Sequence, residues 1–151
     1  MPVRAIRGAV QVEADQQDEI HAACRTLLLA ILEENPGLQP EDIASVLFTM
    51  TPDLTASYPA QAARTLGWTE VPLLCAQEIA VPGGMPRVIR VLAHWNTHQH
   101  QSQVKSVYLG ATQSLRPDLL GTTGEGPGPT YQARHRGRDL RASHAGTGRS
   151  T

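Results

Sequence analysis

Aromatic residues are scarce in this chain, 4% of 151, and Phe48 is the only phenylalanine. A core without aromatic bulk has to be assembled from Val, Leu, Ile and Ala. Cysteine is nearly absent as well. Cys24 and Cys75 are the only two, and one such pair makes neither a zinc site nor a disulfide framework, so free thiols and a cytoplasmic setting are expected. No sign of charge dominates: the formal charge is −1 and the pI about 6.6. That leaves no overall field for nucleic acid or an anionic membrane. Long apolar runs are missing too, since the most apolar, residues 27–32, is far too short to cross a bilayer. The first residues, Met-Pro-Val-Arg-Ala-Ile-Arg, lack the apolar centre of a signal peptide.

What is present divides by hydropathy period. Val3, Ile6, Val10 and Val12 predict a strand over residues 3–12, and Gly8 inside it marks a bulge or a close approach to the backbone. Two-residue alternation puts Arg4 and Arg7 on opposite faces of that strand. Asp15 reads as an N-cap, with Asp18 and Glu19 in the first turn of a helix. Ile20, Ala23, Cys24, Leu27, Leu28, Ile31 and Leu32 then recur on one helical face, which gives Cys24 a packing role, until Asn35-Pro36-Gly37 ends the helix. A helical turn at residues 39–42 leads into a strand over 45–50 and a turn over 51–55. Next come a helix over 59–66, with Pro59 in its first turn, and a strand over 71–78 carrying Cys75 and Glu78. Val104, Val107, Tyr108 and Ala111 are spaced for a third helix over 102–111.

Beyond Gly121 aliphatic residues nearly vanish, so residues 121–151, with the basic cluster from Arg134 to Arg141, read as a disordered tail behind a domain of residues 1–120. Strands alternating with helices predict an α/β or α+β sandwich, a mixed sheet of four or five strands with its helices on one face. The opposite face of so small a sheet is left to be covered by self-association.

The most informative stretch is residues 86–95, Pro-Arg-Val-Ile-Arg-Val-Leu-Ala-His-Trp. Val88, Ile89, Val91, Leu92 and Ala93 make a buried strand with Arg90 in its middle. A guanidinium inside a strand needs an anion, and its planar fork fits a carboxylate, from the protein or from a ligand. Other chemistry is poorly supplied. His94, His98 and His100 have no carboxylate or cysteine at ligand spacing, so no metal site is expected. Gly83-Gly84 is a turn rather than a phosphate cradle, because no helix follows it. No local motif gives Ser57 or Cys75 a base. Arg7, Arg64, Arg90, Arg116, Glu78, Cys75 and two tyrosines remain, a set suited to a small dicarboxylate. Such a site can catalyse a unimolecular rearrangement by holding one conformer and placing positive charge where negative charge develops.

Seven segments then carry a resemblance. Ile6-Arg7-Gly8-Ala9, Thr51-Pro52-Asp53-Leu54, Tyr58-Pro59-Ala60 with Arg64, Val71-Pro72 through Cys75 to Glu78, Ile89-Arg90-Val91, Val107-Tyr108-Leu109 and Leu115-Arg116-Pro117-Asp118-Leu119 occur in this order. Together, over about residues 3–119, the chain closely resembles the monofunctional chorismate mutases of the AroH class, the Bacillus type. The resemblance implies a homotrimeric α/β pseudo-barrel with active sites between subunits, converting chorismate to prephenate without cofactor or metal. It implies that Arg90 meets the breaking ether bond and a carboxylate, and that Arg7 and Tyr108 bind the side-chain carboxylate. Glu78 and the Cys75 segment would meet the ring hydroxyl and carbon framework. Tyr58, Ala60, Arg64 and Leu74 would line a wall from the adjacent subunit, with Leu115 and Arg116 closing the mouth.

Gln61 stands where that family often has Lys, and Tyr58 where Phe is common. Alternation also sets Cys75 and Glu78 on opposite faces of one strand unless it ends or bulges between them. A trimer that binds a carboxylate metabolite without catalysis is the rival reading, and a structural subunit with Arg90 paired internally to Glu78 is a third.

Overall fold

Alternation along each strand decides which side is packed, and in the computed structural model, which describes residues 1–120, two helices settle on one side only. The strands are β1 (Val3–Gln11), β2 (Ile43–Met50), β3 (Leu73–Gln77), β4 (Val88–Asn96) and β5 (Val107–Tyr108), and the helices are α1 (Gln17–Glu34) and α2 (Ala60–Thr65). The sheet order is β3-β2-β4-β1-β5. Pairs β1–β4 and β2–β4 are antiparallel, β1–β5 and β2–β3 parallel, so the sheet is mixed as expected. Residues 121–151, including the Arg134 to Arg141 cluster, lie outside the described residues.

Helix α1 buries Ile20, Cys24, Leu27, Leu28 and Ile31, the predicted stripe. Those side chains meet Ile6, Val10, Val46, Phe48, Ile89, Val91 and Trp95 from the sheet. Burial pushes the Cys24 thiol up to about 12, with a smaller contribution from nearby Cys75. Gly8 answers to close approach and not to a bulge, because β1 pairs with β4 without a slip from Val3 to Gln11. A Cβ on Gly8 would come within 3.1 Å of Leu27 Cδ1 and of the Val107 carbonyl oxygen. Among the described residues no helix is long and apolar enough to span a membrane.

Two local expectations give way. Gln16, without a side-chain cap bond, occupies the N-cap of α1. Asp15 instead accepts the Thr55 and Ala56 N–H groups (2.9 and 3.0 Å) and the Thr55 hydroxyl (2.9 Å). A carboxylate that finds two backbone donors forty residues away has no need of its own helix. The expected third helix over 102–111 does not form. Buried Asn35 bonds both the N–H and the C=O of Lys105 (2.8 and 2.9 Å), and Val107–Tyr108 adds to β1 beside Gly8 and Ala9. Backbone groups held by distant partners are withdrawn from an i to i+4 ladder, and Val-Tyr suits a strand.

Candidate active site

Bonded neighbours in a sheet share a face, so register alone assembles a row across all five strands. On the face away from the helices that row reads Ala76, Thr49, Arg90, Ala9 and Tyr108. The adjacent row is Leu74, Leu47, Leu92 and Arg7. Small residues therefore flank Arg90 and Thr49, and two arginines rise from neighbouring strands. Arg7, Thr49, Glu78 and Arg90 line one cavity of about 400 Å³ with Leu47 and Leu92. Across the Arg90 and Glu78 pair lies a second, of about 450 Å³, walled by Thr51, Asp53 and the loop over residues 79–86.

Arg90 has the acid that a strand-borne guanidinium requires. Glu78 Oε2 stands 3.3 Å from Arg90 Nε, and the Thr49 hydroxyl donates to the same oxygen. Nε is nonetheless buried without a hydrogen bond, and so is the Tyr108 hydroxyl. Buried polar atoms are bonded as a rule, so two exceptions in one row mark a place for polar atoms from elsewhere. Glu78 lies one residue past the end of β3, with its N–H bonded to the Met50 carbonyl (2.8 Å). Alternation sets its side chain on the open face with Leu74 and Ala76, and Cys75 on the packed one against the core.

Cys75 is thus not brought to Arg90. It shares a separate hollow of about 250 Å³ with Tyr58, beside the turn at Thr51–Thr55. Tyr58 is 72% exposed and Leu74 67% exposed, Arg64 is exposed beside Trp68 and Leu73, and Ala60 is buried in the core at the start of α2. Within one chain none of these four lines the cavities at Arg90. Arg116, in contrast, arrives beside Tyr108, its guanidinium carbon 6.0 Å from the ring centre. Its Nε and Nη2 donate to both Asp118 oxygens (3.0 and 2.8 Å). Those bonds pull the Asp118 carboxyl below its ordinary range and push Arg116 above its own. Leu115 is half-buried beside them.

The sequence does not single out Thr49, nor Asp53 beyond its place in the turn over residues 51–55. Thr49 shows only as one alternate position of a strand, since its two partners come from other segments. Asp53 accepts the Arg87 N–H with both oxygens (3.1 and 2.9 Å) and the Thr51 hydroxyl with one. It thereby holds Arg87, the one non-glycine with positive φ (51°) among the described residues, at the start of β4. His94 bonds the Ser45 hydroxyl (3.0 Å). Among the described residues no three His, Cys, Asp or Glu side chains gather as metal ligands would.

The match to known proteins covers this geometry. Residues 3–119 fit the family model described as chorismate mutase type I. A chorismate mutase AroH from Thermus thermophilus is 55% identical over 117 residues, 78% of this chain and 96% of that protein. The chorismate mutase AroH of Bacillus subtilis is 46% identical over 120 residues, 79% of this chain and 94% of its own. A solved chorismate mutase from Clostridium thermocellum superposes with a TM-score of 0.71 at 45% identity, covering 73% of this chain and 97% of that one. The Arg90 row, the strand end with Glu78 and the segment through Asp118 all fall inside residues 3–119, and the chain belongs to the chorismate mutase type I family.

Proposed function

We propose that this protein rearranges chorismate to prephenate, the step that leads toward phenylalanine and tyrosine in a cytoplasmic aromatic amino-acid pathway. One ether C–O bond breaks while one C–C bond forms, with no proton transferred, no cofactor and no covalent intermediate. The observation that carries the reading, beside family membership, is Arg90: a fork donor on a half-buried strand, its Nε unbonded, sharing one cavity with Arg7 and Glu78. In this reading Arg90 lends positive charge to the ether oxygen as the bond breaks and holds a carboxylate, which is electrostatic preorganisation. Arg7 and Tyr108 hold the second carboxylate and select the folded conformer. Glu78 accepts the ring hydroxyl, and Leu115 and Arg116 close the mouth.

The working unit in this proposal is a homotrimeric pseudo-barrel. Tyr58, Arg64 and Leu74 are exposed and do not line the Arg90 cavity of their own chain, as expected of residues that serve a neighbouring subunit's site. Ala60 and the Cys75 segment frame that same wall from behind. The decisive assay follows chorismate absorbance in chelator-treated buffer with wild-type protein and an Arg90→Ala control. Loss with wild type alone, yielding prephenate, supports the reading. No loss with wild type refutes it and favours the carboxylate-binding trimer.

A further inference from the structure

We propose that Thr49 is a positioning residue for Glu78: its hydroxyl holds the carboxylate off the Arg90 guanidinium, so that the arginine fork stays open to an incoming carboxylate. The inference rests on the chorismate mutase reading above. Thr49 is the direct neighbour of Arg90 on one side and of Ala76 on the other. It is therefore the side chain between the strand bearing the cation and the strand that leads to the acid. Glu78 follows Ala76 by two residues and stays beside β2 through its N–H bond to Met50. From there the carboxylate turns back, and Oε2 accepts the Thr49 hydroxyl.

Oε2 is also the atom 3.3 Å from Arg90 Nε, and that contact lacks hydrogen-bond geometry, since Nε is buried and unbonded. Arginine and a carboxylate left to themselves settle into two parallel N–H···O bonds. Here the facing oxygen already receives the hydroxyl proton, from a β-branched side chain whose χ1 is stiff. Threonine, not arginine, sets where the carboxylate points. Arg90 and Glu78 keep charge attraction without a directed bond, and both remain partly open to the cavity, at 31% and 25% exposure. A substrate carboxylate meets donors that are not engaged, and Glu78 Oε1 is left for a hydroxyl donor.

Valine keeps the shape of threonine and removes the hydroxyl. In Thr49→Val the Glu78 carboxylate rotates onto Arg90, and substrate has to displace it. The effect falls on KM, which rises about tenfold or more for the loss of one hydrogen bond to a charged group. The value of kcat, read at saturation, stays within about twofold. Thr49→Ser restores the hydroxyl and the KM. In a Glu78→Ala background, Thr49→Val adds no further change, read as the prephenate dissociation constant by calorimetry.

Steady-state kinetics on Thr49→Val and Thr49→Ser with melting temperatures, and calorimetry on Glu78→Ala with and without Thr49→Val, test this. A wild-type KM in Thr49→Val overturns the proposal while leaving the mutase reading intact. So does a Thr49→Ser as impaired as the valine, or a loss of kcat that tracks melting temperature. A wild-type protein inert toward chorismate overturns both. If the valine variant does not fold, Thr49→Ala carries the same comparison.

Discussion

One sheet carries two surfaces built from alternate residues of the same strands. Toward the helices Ile6, Val10, Phe48, Ile89, Val91 and Trp95 are packed among aliphatic side chains. Away from them Arg7, Thr49 and Arg90, with Glu78 just past β3, gather around a cavity, and a small cluster of Ala9, Val88 and Tyr108 supports them. The packed surface draws its stability from apolar area and close fit, so it punishes lost volume. The open surface holds charges only partly bonded to each other, which costs stability and keeps donors available. Substitutions on the two surfaces should therefore separate activity from stability.

The largest effect on activity is expected at Arg90→Lys. The charge remains but the planar fork is lost, and kcat/KM should fall on the order of a thousandfold with little change in urea midpoint. An Arg90→Lys enzyme as fast as wild type would refute the charge-placement mechanism. On the other surface, Phe48→Ala removes the one phenylalanine, 0% exposed. It should lose about 3–5 kcal/mol in urea unfolding, with turnover per folded molecule retained. A fall in specific activity matching the Arg90 variant would erase the distinction between the surfaces.

Gly8→Ala is a finer probe of the packed side, because the new methyl meets Leu27 and Ile31 side chains and a Val107 carbonyl at 3.1–3.2 Å. A cost of about 1–3 kcal/mol is expected from overpacking, and an unchanged melting temperature would show that α1 gives way freely. The smallest effect is at Asp15, outside both surfaces. Bonds from Thr55 and Ala56 hold its carboxyl below the ordinary 3.8. A carboxyl lowered by folding contributes stability above its unfolded value and loses it as pH falls through the folded one. Wild type should therefore lose melting temperature progressively below about pH 4, and Asp15→Asn should be less stable at neutral pH with a flatter acid limb. Identical acid limbs would show that the Asp15 bonds do not contribute.

Legibility in the sequence followed the range of the forces. The α1 stripe, the Arg90 strand, the turn at Thr51–Thr55 and the one-sided packing are set by residues within a few positions of each other, where hydrophobic period and turn chemistry act. The same local logic misplaced a helix over 102–111. Its period was right for a helix, and Asn35 with β1, some seventy to a hundred residues away, pulled the backbone into bonds of another kind.

The site divides along the same line. Arg90's demand for an anion is written into the strand, because a half-buried cation in the middle of an apolar run has to be met by an opposite charge. That Glu78, already one candidate partner, is the acid that answers, and that the Thr49 hydroxyl orients it, depends on strand order and register, neither of which neighbouring residues encode. Composition and periodicity determined the α1 stripe, the Arg90 strand, the turn after β2, the one-sided packing and one charge that had to be met. Only the tertiary structure decided its partners, because each comes from a different strand and they meet only once the sheet has closed around them.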